Sequence, residues 1–166
     1  MTKIVNTPDD IASASIGKLL ADAYLAAVKA LDRRLGEAGY PDVRPAHGTV
    51  FQVIRREGSR VTELAARAGM TKQAMTELVD HLEGAGYLER APDPGDGRAK
   101  LVRLTPRGRA CIAAAREIID DLEADWSERI GRRRMAGLRE GLEALGGAIA
   151  EASPPGAAEA DRGRGG

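Results

Sequence analysis

Residues 62–82, TELAARAGMTKQAMTELVDHL, decide the fold of this chain. They predict two short helices joined by a tight turn, because the small Ala65 is followed by Gly69 and then by the apolar Met75. A small residue lets two helices cross closely, a glycine permits the bend, and an apolar residue packs the second helix on the first. The spacing is typical of a helix-turn-helix, although plain helical hairpins also reach it by chance.

The second of these helices is predicted to have one buried and one polar face. Thr71 precedes it and predicts an N-cap. The buried face is predicted from apolar residues at the helical period, namely Met75, Leu78, Val79 and Leu82. On the polar face, Lys72 is suited to guanine or phosphate, Gln73 to adenine, and Thr76 to phosphate or the thymine methyl group. The alternative is an ordinary polar surface.

Two acidic or ionisable residues on the same helix leave alternatives open. Glu77 either accepts a hydrogen bond from a cytosine amino group or points to solvent. His81 either reaches the DNA backbone or is a plain surface histidine. We include both residues in the predicted DNA-binding face.

The segment after this helix predicts a β-hairpin. Residues 87–90 and 101–104 have the composition of strands, and residues 92–97, PDPGDG, are rich in turn-forming residues. A hairpin that directly follows a helix-turn-helix predicts a wing. Arg98 lies at the predicted hairpin tip, where a guanidinium can enter a narrow minor groove, and Asp96 is suited to hold it there. The alternative is a solvated turn. Phosphate contacts are predicted for Arg60, Lys100 and Arg103.

Long helices are predicted on both sides of this unit. Thr7 and Pro8 predict the start of a helix that runs to about Leu35, and a shorter helix is predicted from Arg44 to Gly58, before a very short strand at residues 59–61. Residues 105–106 open another long helix, which Gly131 either interrupts or allows to bend. The last helix has an apolar seam suited to another helix. Residues 151–166 are rich in glycine, proline and charge, which predicts disorder.

Composition limits the function classes. The 166 residues have a formal net charge of +0, so any contact with nucleic acid depends on the local placement of arginine and lysine. The single cysteine, Cys111, excludes an internal disulfide and favours a reducing, cytoplasmic compartment. Cys111 is predicted to be a core residue, with a redox switch as the alternative. We find neither a signal peptide nor a membrane-spanning segment in the sequence.

Motifs that would indicate an enzyme are missing from the sequence. Two histidines and one cysteine give no zinc-binding spacing, and we find neither a phosphate-binding glycine loop nor a GxSxG motif. We therefore expect no catalytic residues, metal or cofactor.

Residues 82–108, LEGAGYLERAPDPGDGRAKLVRLTPRG, resemble the multiple-antibiotic-resistance-regulator (MarR) family of transcription factors. The matching features are a Leu-x-x-x-Gly helix end, a strand with Glu-Arg, an Asp-x-Arg wing and a Leu-Thr-x-x-Gly helix start. The resemblance covers about residues 11–149. The chain departs from the family pattern at Glu77, where members often have a basic residue, and at Gly97, where many have arginine.

The resemblance implies a mainly α fold with a small β-wing and long terminal dimerisation helices. It implies a domain at residues 7–150, with a DNA-binding lobe at about 44–104 and dimerisation helices at about 7–36 and 105–150. The implied function is a homodimeric repressor that binds double-stranded DNA at a pseudo-palindromic operator and responds to a small molecule. An effector pocket is predicted at Tyr24, His47, Phe51 and Trp126, with core packing as the alternative. The competing functions are a winged-helix interaction module without DNA binding and an enzyme subunit.

Overall fold

The structure of the chain, a computed structural model, describes residues 15–152. Six helices and one antiparallel hairpin lie within them, in agreement with the predicted fold class. In chain order these are α1 (Ile16–Glu37), α2 (His47–Val53), α3 (Val61–Ala68), α4 (Lys72–Gly84), β1 (Leu88–Asp93), β2 (Asp96–Leu104), α5 (Pro106–Ile130) and α6 (Arg132–Ala152).

Helices α3 and α4 form the predicted helix-turn-helix. Gly69 ends α3 with a φ of 63°, a left-handed conformation that glycine adopts without a steric penalty. The Thr71 side chain accepts a hydrogen bond from the Ala74 N–H at 3.2 Å and so caps α4 as predicted. Buried apolar residues of α4 then fix its orientation against the core, and three of them have no exposed surface: Met75, Val79 and Leu82.

Strands β1 and β2 form the predicted wing. Leu88 pairs with Leu104 at the base, and the regular register continues to the pair Pro92 and Lys100. The register then shifts, because Asp93 pairs with Asp96, which leaves residues 97–99 of β2 as a bulge. The strand predicted at residues 59–61 is a single bridge between Ser59 and Val102.

One hydrophobic core joins the helix-turn-helix, the wing base and the start of α5. It contains Leu35, Val43, Val50, Leu64, Ala65, Met75, Val79, Leu82, Tyr87, Leu88, Val102 and Cys111. The Tyr87 hydroxyl accepts a hydrogen bond from the Arg107 guanidinium at 3.0 Å, so the largest buried side chain is not left with an unpaired polar atom.

Several predicted boundaries need correction. The predicted start of the first helix at Thr7 lies outside the described residues, and its end is at Glu37 rather than Leu35. Helix α2 ends at Val53, before the predicted stop at Gly58, because the following backbone is extended and the Arg55 N–H donates to the Ser59 hydroxyl at 3.2 Å. Helix α6 includes the first two residues of the predicted disordered tail, whereas residues 153–166 are outside the described part.

The chain divides into two compact units after Asp120, inside α5. The second unit contains the end of α5 and α6, which are separated at Gly131, where φ is 91°. This break was predicted. An exposed apolar stripe runs along α6 through Leu138, Leu142, Leu145 and Ile149. In the first unit, α1 also exposes large apolar side chains, among them Ile16, Leu19, Tyr24 and Leu25.

Candidate nucleic-acid interface

The outer face of α4 carries the residues predicted to contact bases. Lys72 and Gln73 are exposed in its first turn, where the preceding N-cap leaves them free to point away from the core. Thr76 is half-buried, and its hydroxyl donates to the Lys72 carbonyl at 2.7 Å. Its hydrogen is therefore occupied within the helix, which leaves the oxygen as an acceptor and the methyl group for apolar contact.

Glu77 limits the freedom of its neighbour on this face. The Gln73 amide nitrogen lies 3.4 Å from the Glu77 carboxylate, one helical turn away. Such a contact turns the Gln73 carbonyl oxygen away from Glu77 and gives the two exposed side chains a shared orientation. The sequence pattern had predicted a separate role for each of them.

His81 has partners inside the protein. Its ring stacks on His47 with centroids 4.7 Å apart and an interplanar angle of 22°. Its Nε2 lies 3.2 Å from the Asp42 carbonyl oxygen. His81 therefore connects α4 to the segment before α2, a role that the sequence pattern did not predict.

The wing presents Arg98 and Lys100 to solvent. Both side chains are exposed, and neither forms an ion pair with any residue in the range 15–152. Arg98 was predicted at the hairpin tip, but the turn is at Pro94 and Gly95, and Arg98 lies in the β2 bulge.

Asp96 contacts Arg98 in a different way from that predicted. Its Oδ1 accepts the Arg98 backbone N–H at 3.2 Å instead of binding the guanidinium. Its other oxygen lies 3.3 Å from Arg60. Arg60, a predicted phosphate contact, is therefore paired with carboxylates of the wing. Arg103, another predicted phosphate contact, also has a partner in the protein, because its Nε donates to the Glu57 carbonyl at 3.1 Å.

A second pair of carboxylates ties the wing to α4. The Arg90 guanidinium contacts Asp80 at 2.6 Å and also pairs with Glu83. Both carboxylates lie in the second half of α4, so Arg90 fixes β1 against that helix. The sequence pattern identified Arg90 only as part of a family motif, since its partners are set by the tertiary fold.

A cavity of about 420 Å³ lies in the first unit between α1, α2 and α5. Its walls are mainly apolar and are formed by Val28, Leu31, Leu35, Val43, Phe51, Ile112, Ala115 and Ile119. Polar side chains also line it, namely Asp32, Arg44, Gln52 and Arg116. This combination of apolar walls and a few polar groups is usual in small-molecule sites.

The cavity contains two of the four residues predicted for a pocket. Tyr24 and Phe51 line it, whereas His47 and Trp126 are not among its lining residues. His47 is turned away because its Nδ1 accepts the Arg44 N–H at 2.9 Å and its ring stacks on His81. Trp126 belongs to the second unit. Sequence reasoning missed Arg44 and Arg116, which have no local signal for a pocket.

Cys111 lines the cavity wall as a core residue. It is 1% exposed, and burial raises the pKa of its thiol to about 11. A protonated thiol is a poor nucleophile at neutral pH. Both observations favour the predicted core role over a redox switch.

Metal-binding clusters and membrane-spanning helices are both absent from the described residues. Within 15–152, no group of three or more His, Cys, Asp or Glu is arranged to hold a metal ion. In the same range, no helix combines the length and hydropathy required to cross a membrane.

Comparison with known proteins agrees with this geometry. An HTH-type transcriptional repressor of Mycobacterium tuberculosis is 33% identical over 89 residues, which cover 54% of this chain and 64% of the relative. The transcriptional regulator YwhA of Bacillus subtilis is 30% identical over 100 residues, which cover 59% of this chain and 67% of the relative. The chain thus matches about two thirds of the length of these curated relatives.

Solved structures extend the match to most of the chain. The repressor CouR bound to a 23-mer DNA duplex superposes with a TM-score of 0.62 at 25% identity, covering 81% of this chain and 94% of that one. CouR from Rhodococcus jostii RHA1 bound to p-coumaroyl-CoA gives a TM-score of 0.60 at 27% identity, with 81% and 93% covered.

The helix-turn-helix, the hairpin and their exposed polar faces define a winged helix-turn-helix protein. A family model described as MarR family matches residues 42–99, which contain the helix-turn-helix, the first strand of the hairpin and the start of the second. With the similarity to YwhA, this match shows that the chain belongs to the MarR family.

Proposed function

We propose that this protein is a sequence-specific DNA-binding transcriptional regulator, a ligand-responsive repressor that acts in the cytoplasm and not as an enzyme. One observation carries the proposal. Helix α4 is fixed by three side chains with no exposed surface, while Lys72 and Gln73 on its opposite face are exposed beside a wing that carries an exposed arginine. A rigid polar helix beside an exposed cation suits the major groove and the adjacent minor groove of one duplex.

The two parts have different tasks on DNA. Gln73 contacts base edges in the major groove, while Arg98 enters the minor groove, where negative potential is concentrated. Lys72 and Lys100 contact phosphates. Each phosphate that is neutralised contributes about 0.9 to the slope of log affinity against log salt concentration.

The active form in this proposal is a homodimer. The proposed dimerisation segments are residues 7–36 and 105–150, and together with the DNA-binding lobe at 44–104 they make residues 7–150 one functional domain. The support is the exposed apolar surface of α1 and α6, on which Leu138 is 50% and Ile149 is 58% exposed. An exposed apolar stripe on a helix of this kind is usual at interaction sites. Two-fold symmetry would place the recognition helices about 34 Å apart on a pseudo-palindromic operator.

Dimerisation can be tested with Leu142→Glu. Leu142 is 43% exposed, so glutamate should be tolerated within one chain but not in an apolar contact between two copies. We expect sedimentation velocity to show a dimer for the unaltered protein and a monomer for the variant. Ala144→Glu, which adds the same charge at an exposed position outside the apolar stripe of α6, is the control. A monomeric unaltered protein would refute this part of the proposal.

We also propose that the cavity binds a small effector. Its apolar walls and the guanidinium groups of Arg44 and Arg116 favour a hydrophobic organic acid. The cavity joins α1 and α5 to α2, so an occupant would favour one spacing of the DNA-binding lobes over another. Calorimetry with benzoate and longer aromatic carboxylates, using Arg116→Met as the comparison, tests this class of ligand.

The second candidate is a winged-helix module that binds another protein. Three carboxylates on α4 favour it, those of Glu77, Asp80 and Glu83, as does the formal net charge of +0. Like charges near DNA reduce affinity. Arg90 neutralises Asp80 and Glu83 in part, and for this reason we rank DNA binding first.

Selection of bound duplexes from a random DNA pool tests the main proposal. We expect an inverted repeat, with affinity that falls as salt rises and falls further in Arg98→Ala. Failure to bind random or selected duplex at low salt would favour the interaction module.

A further inference from the structure

Arg60 lies between two carboxylates of the wing. Its Nε and Nη2 donate to Asp93 Oδ2 at 2.9 and 2.6 Å, and Nη2 also lies 3.3 Å from Asp96 Oδ2. The Asp93 side chain is only 13% exposed, so this contact is sheltered from water more than an ordinary surface pair. Two donors directed at one carboxylate give the guanidinium a fixed orientation.

The backbone of Arg60 is attached to the body of the protein. Arg60 is the N-cap of α3, and its carbonyl accepts the N–H groups of Glu63 and Leu64, each at 3.0 Å. The preceding residue, Ser59, exchanges two backbone hydrogen bonds with Val102 at 3.0 and 2.9 Å. The side chain therefore extends from a fixed point toward the distal end of the wing.

Each of the two carboxylates uses its second oxygen to shape the wing. Asp93 Oδ1 accepts the Gly95 N–H at 2.9 Å, and Asp96 Oδ1 accepts the Arg98 N–H at 3.2 Å. In the bulge at residues 97–99, the regular cross-strand pairing is absent from the register. The backbone at Arg98 is thus held by Asp96, and Asp96 is in turn held by Arg60.

We propose that Arg60 is a positioning residue that sets the direction of Arg98 through Asp93 and Asp96. The proposal rests on the proposed DNA-binding function and changes the role of Arg60 from that predicted by sequence. The Arg60 guanidinium is paired with Asp93 and Asp96 within the protein and not with DNA. The wing therefore presents Arg98 in a fixed orientation before DNA binds. Preorganisation of this kind lowers the ordering cost of binding.

The substitution Asp93→Asn distinguishes this role from a phosphate contact by the sign of its effect. Asparagine keeps an oxygen that can accept the Gly95 N–H but removes the charge that binds Arg60. If Arg60 positions the wing, operator affinity should fall by about three- to thirtyfold, a range common for coupled neighbours. If Arg60 instead binds a phosphate, removing a competing negative charge should raise affinity, and that result would overturn the proposal.

A double-mutant cycle supplies the second test. The duplex recovered from the random pool is titrated with the full-length chain and with Asp93→Asn, Arg98→Ala and the double variant. Because Arg60 acts through Arg98, Asp93→Asn should have little further effect once Arg98 is alanine. Fully additive losses would overturn the proposal. Arg60→Lys, which keeps the charge but not the two-donor geometry, should restore only part of the affinity lost in Arg60→Ala.

Hydrogen exchange of the DNA-free protein separates this proposal from the proposed function. In Asp93→Asn and Arg60→Ala we expect faster exchange of the Arg98 amide, with unchanged exchange in the α4 core. Unchanged exchange at Arg98 would overturn the positioning role even if the protein binds DNA. Faster exchange at Arg98 in a protein that binds no duplex would support the positioning role of Arg60 and refute the DNA-binding function.

Discussion

Helix α4 and the wing are neighbouring surfaces that are held in place by different forces. Helix α4 rests on Met75, Val79 and Leu82, none of which has exposed surface. The distal wing buries little apolar surface, and its shape depends on ion pairs made by Arg60 and Arg90. The helix is therefore fixed by burial, and the distal part of the wing by charge.

This difference has consequences for how each part responds to conditions. Burial of apolar surface is insensitive to moderate salt, whereas partly exposed ion pairs are screened over about 10 Å at 0.1 M ionic strength. The position of α4 should therefore be nearly constant, and the position of Arg98 should vary with salt. Substitutions that separate the two kinds of force test this comparison.

The largest effect is expected for Leu82→Ala. The lost side chain leaves a space in a closely packed core, so the free energy of unfolding should fall by about 2–5 kcal/mol. Urea denaturation followed by circular dichroism measures this change, which should be the same at low and high salt. Lys72→Ala, on the exposed face of the same helix, is the control and should stay within about 0.5 kcal/mol of the original stability.

A smaller effect is expected for Gln73→Ala, which leaves intact both the buried contacts of α4 and the ion pairs of the wing. Removal of the amide should reduce discrimination at one base pair by about 1–3 kcal/mol without a matching loss of stability. Competition titrations with operator duplexes altered at single positions measure the loss. Because Gln73 contacts Glu77, Glu77→Gln should alter the same base preference. Unchanged preference in both variants would contradict the assignment of this face.

Arg90→Met tests the charge side of the comparison and should have a still smaller effect. Methionine keeps the apolar part of the side chain but loses the contacts with Asp80 and Glu83. These partners are partly exposed, so we expect a loss of about 1 kcal/mol or less at low salt. The loss should shrink in 1 M salt. A loss as large as that of Leu82→Ala would mean that burial alone does not hold α4.

The features that sequence predicted well are those set by local chemistry. Gly69, Thr71 and the apolar period of α4 determine a turn, a cap and a buried face within a few residues of one another. The wing likewise follows from a turn-rich segment between two short strands. Such signals do not depend on distant parts of the chain.

The features that sequence missed depend on partners far apart in the chain. Arg60 and its partner Asp93 are 33 positions apart, so the pattern around Arg60 suggested a cation available to phosphate. Helix α2 ends early because the backbone at Ile54 is extended and the Arg55 N–H donates to the hydroxyl of Ser59, four positions further on. His47 does not line the cavity because Arg44 and His81 set its orientation. The order of residues in the sequence does not show which of these distant residues lie close together in the fold.

The smallest effect is expected on the pH dependence of stability. It concerns His47, a buried residue on which His81 of α4 stacks. Burial, then the His81 ring and then the Arg44 guanidinium lower the pKa of His47 below its usual value. The unfolded chain therefore takes up a proton near pH 6.5 that the folded chain resists. Above pH 6.5 His47 should not change the stability of the fold. As pH falls from 6.5 to the lowered pKa of the folded state, its destabilising effect should grow.

The substitution His47→Asn measures this pH dependence. The amide oxygen of the asparagine can still accept the Arg44 N–H, but the side chain no longer titrates. Urea denaturation between pH 7.5 and pH 5 should show a stability that declines in the original protein and stays flatter in the variant. This range lies above the ordinary pKa of a carboxylate, about 4. The Gly95 N–H and the Arg60 guanidinium lower the pKa of Asp93 further. Equal slopes in both proteins would mean that burial of His47 beside His81 and Arg44 does not make the stability of the fold depend on pH.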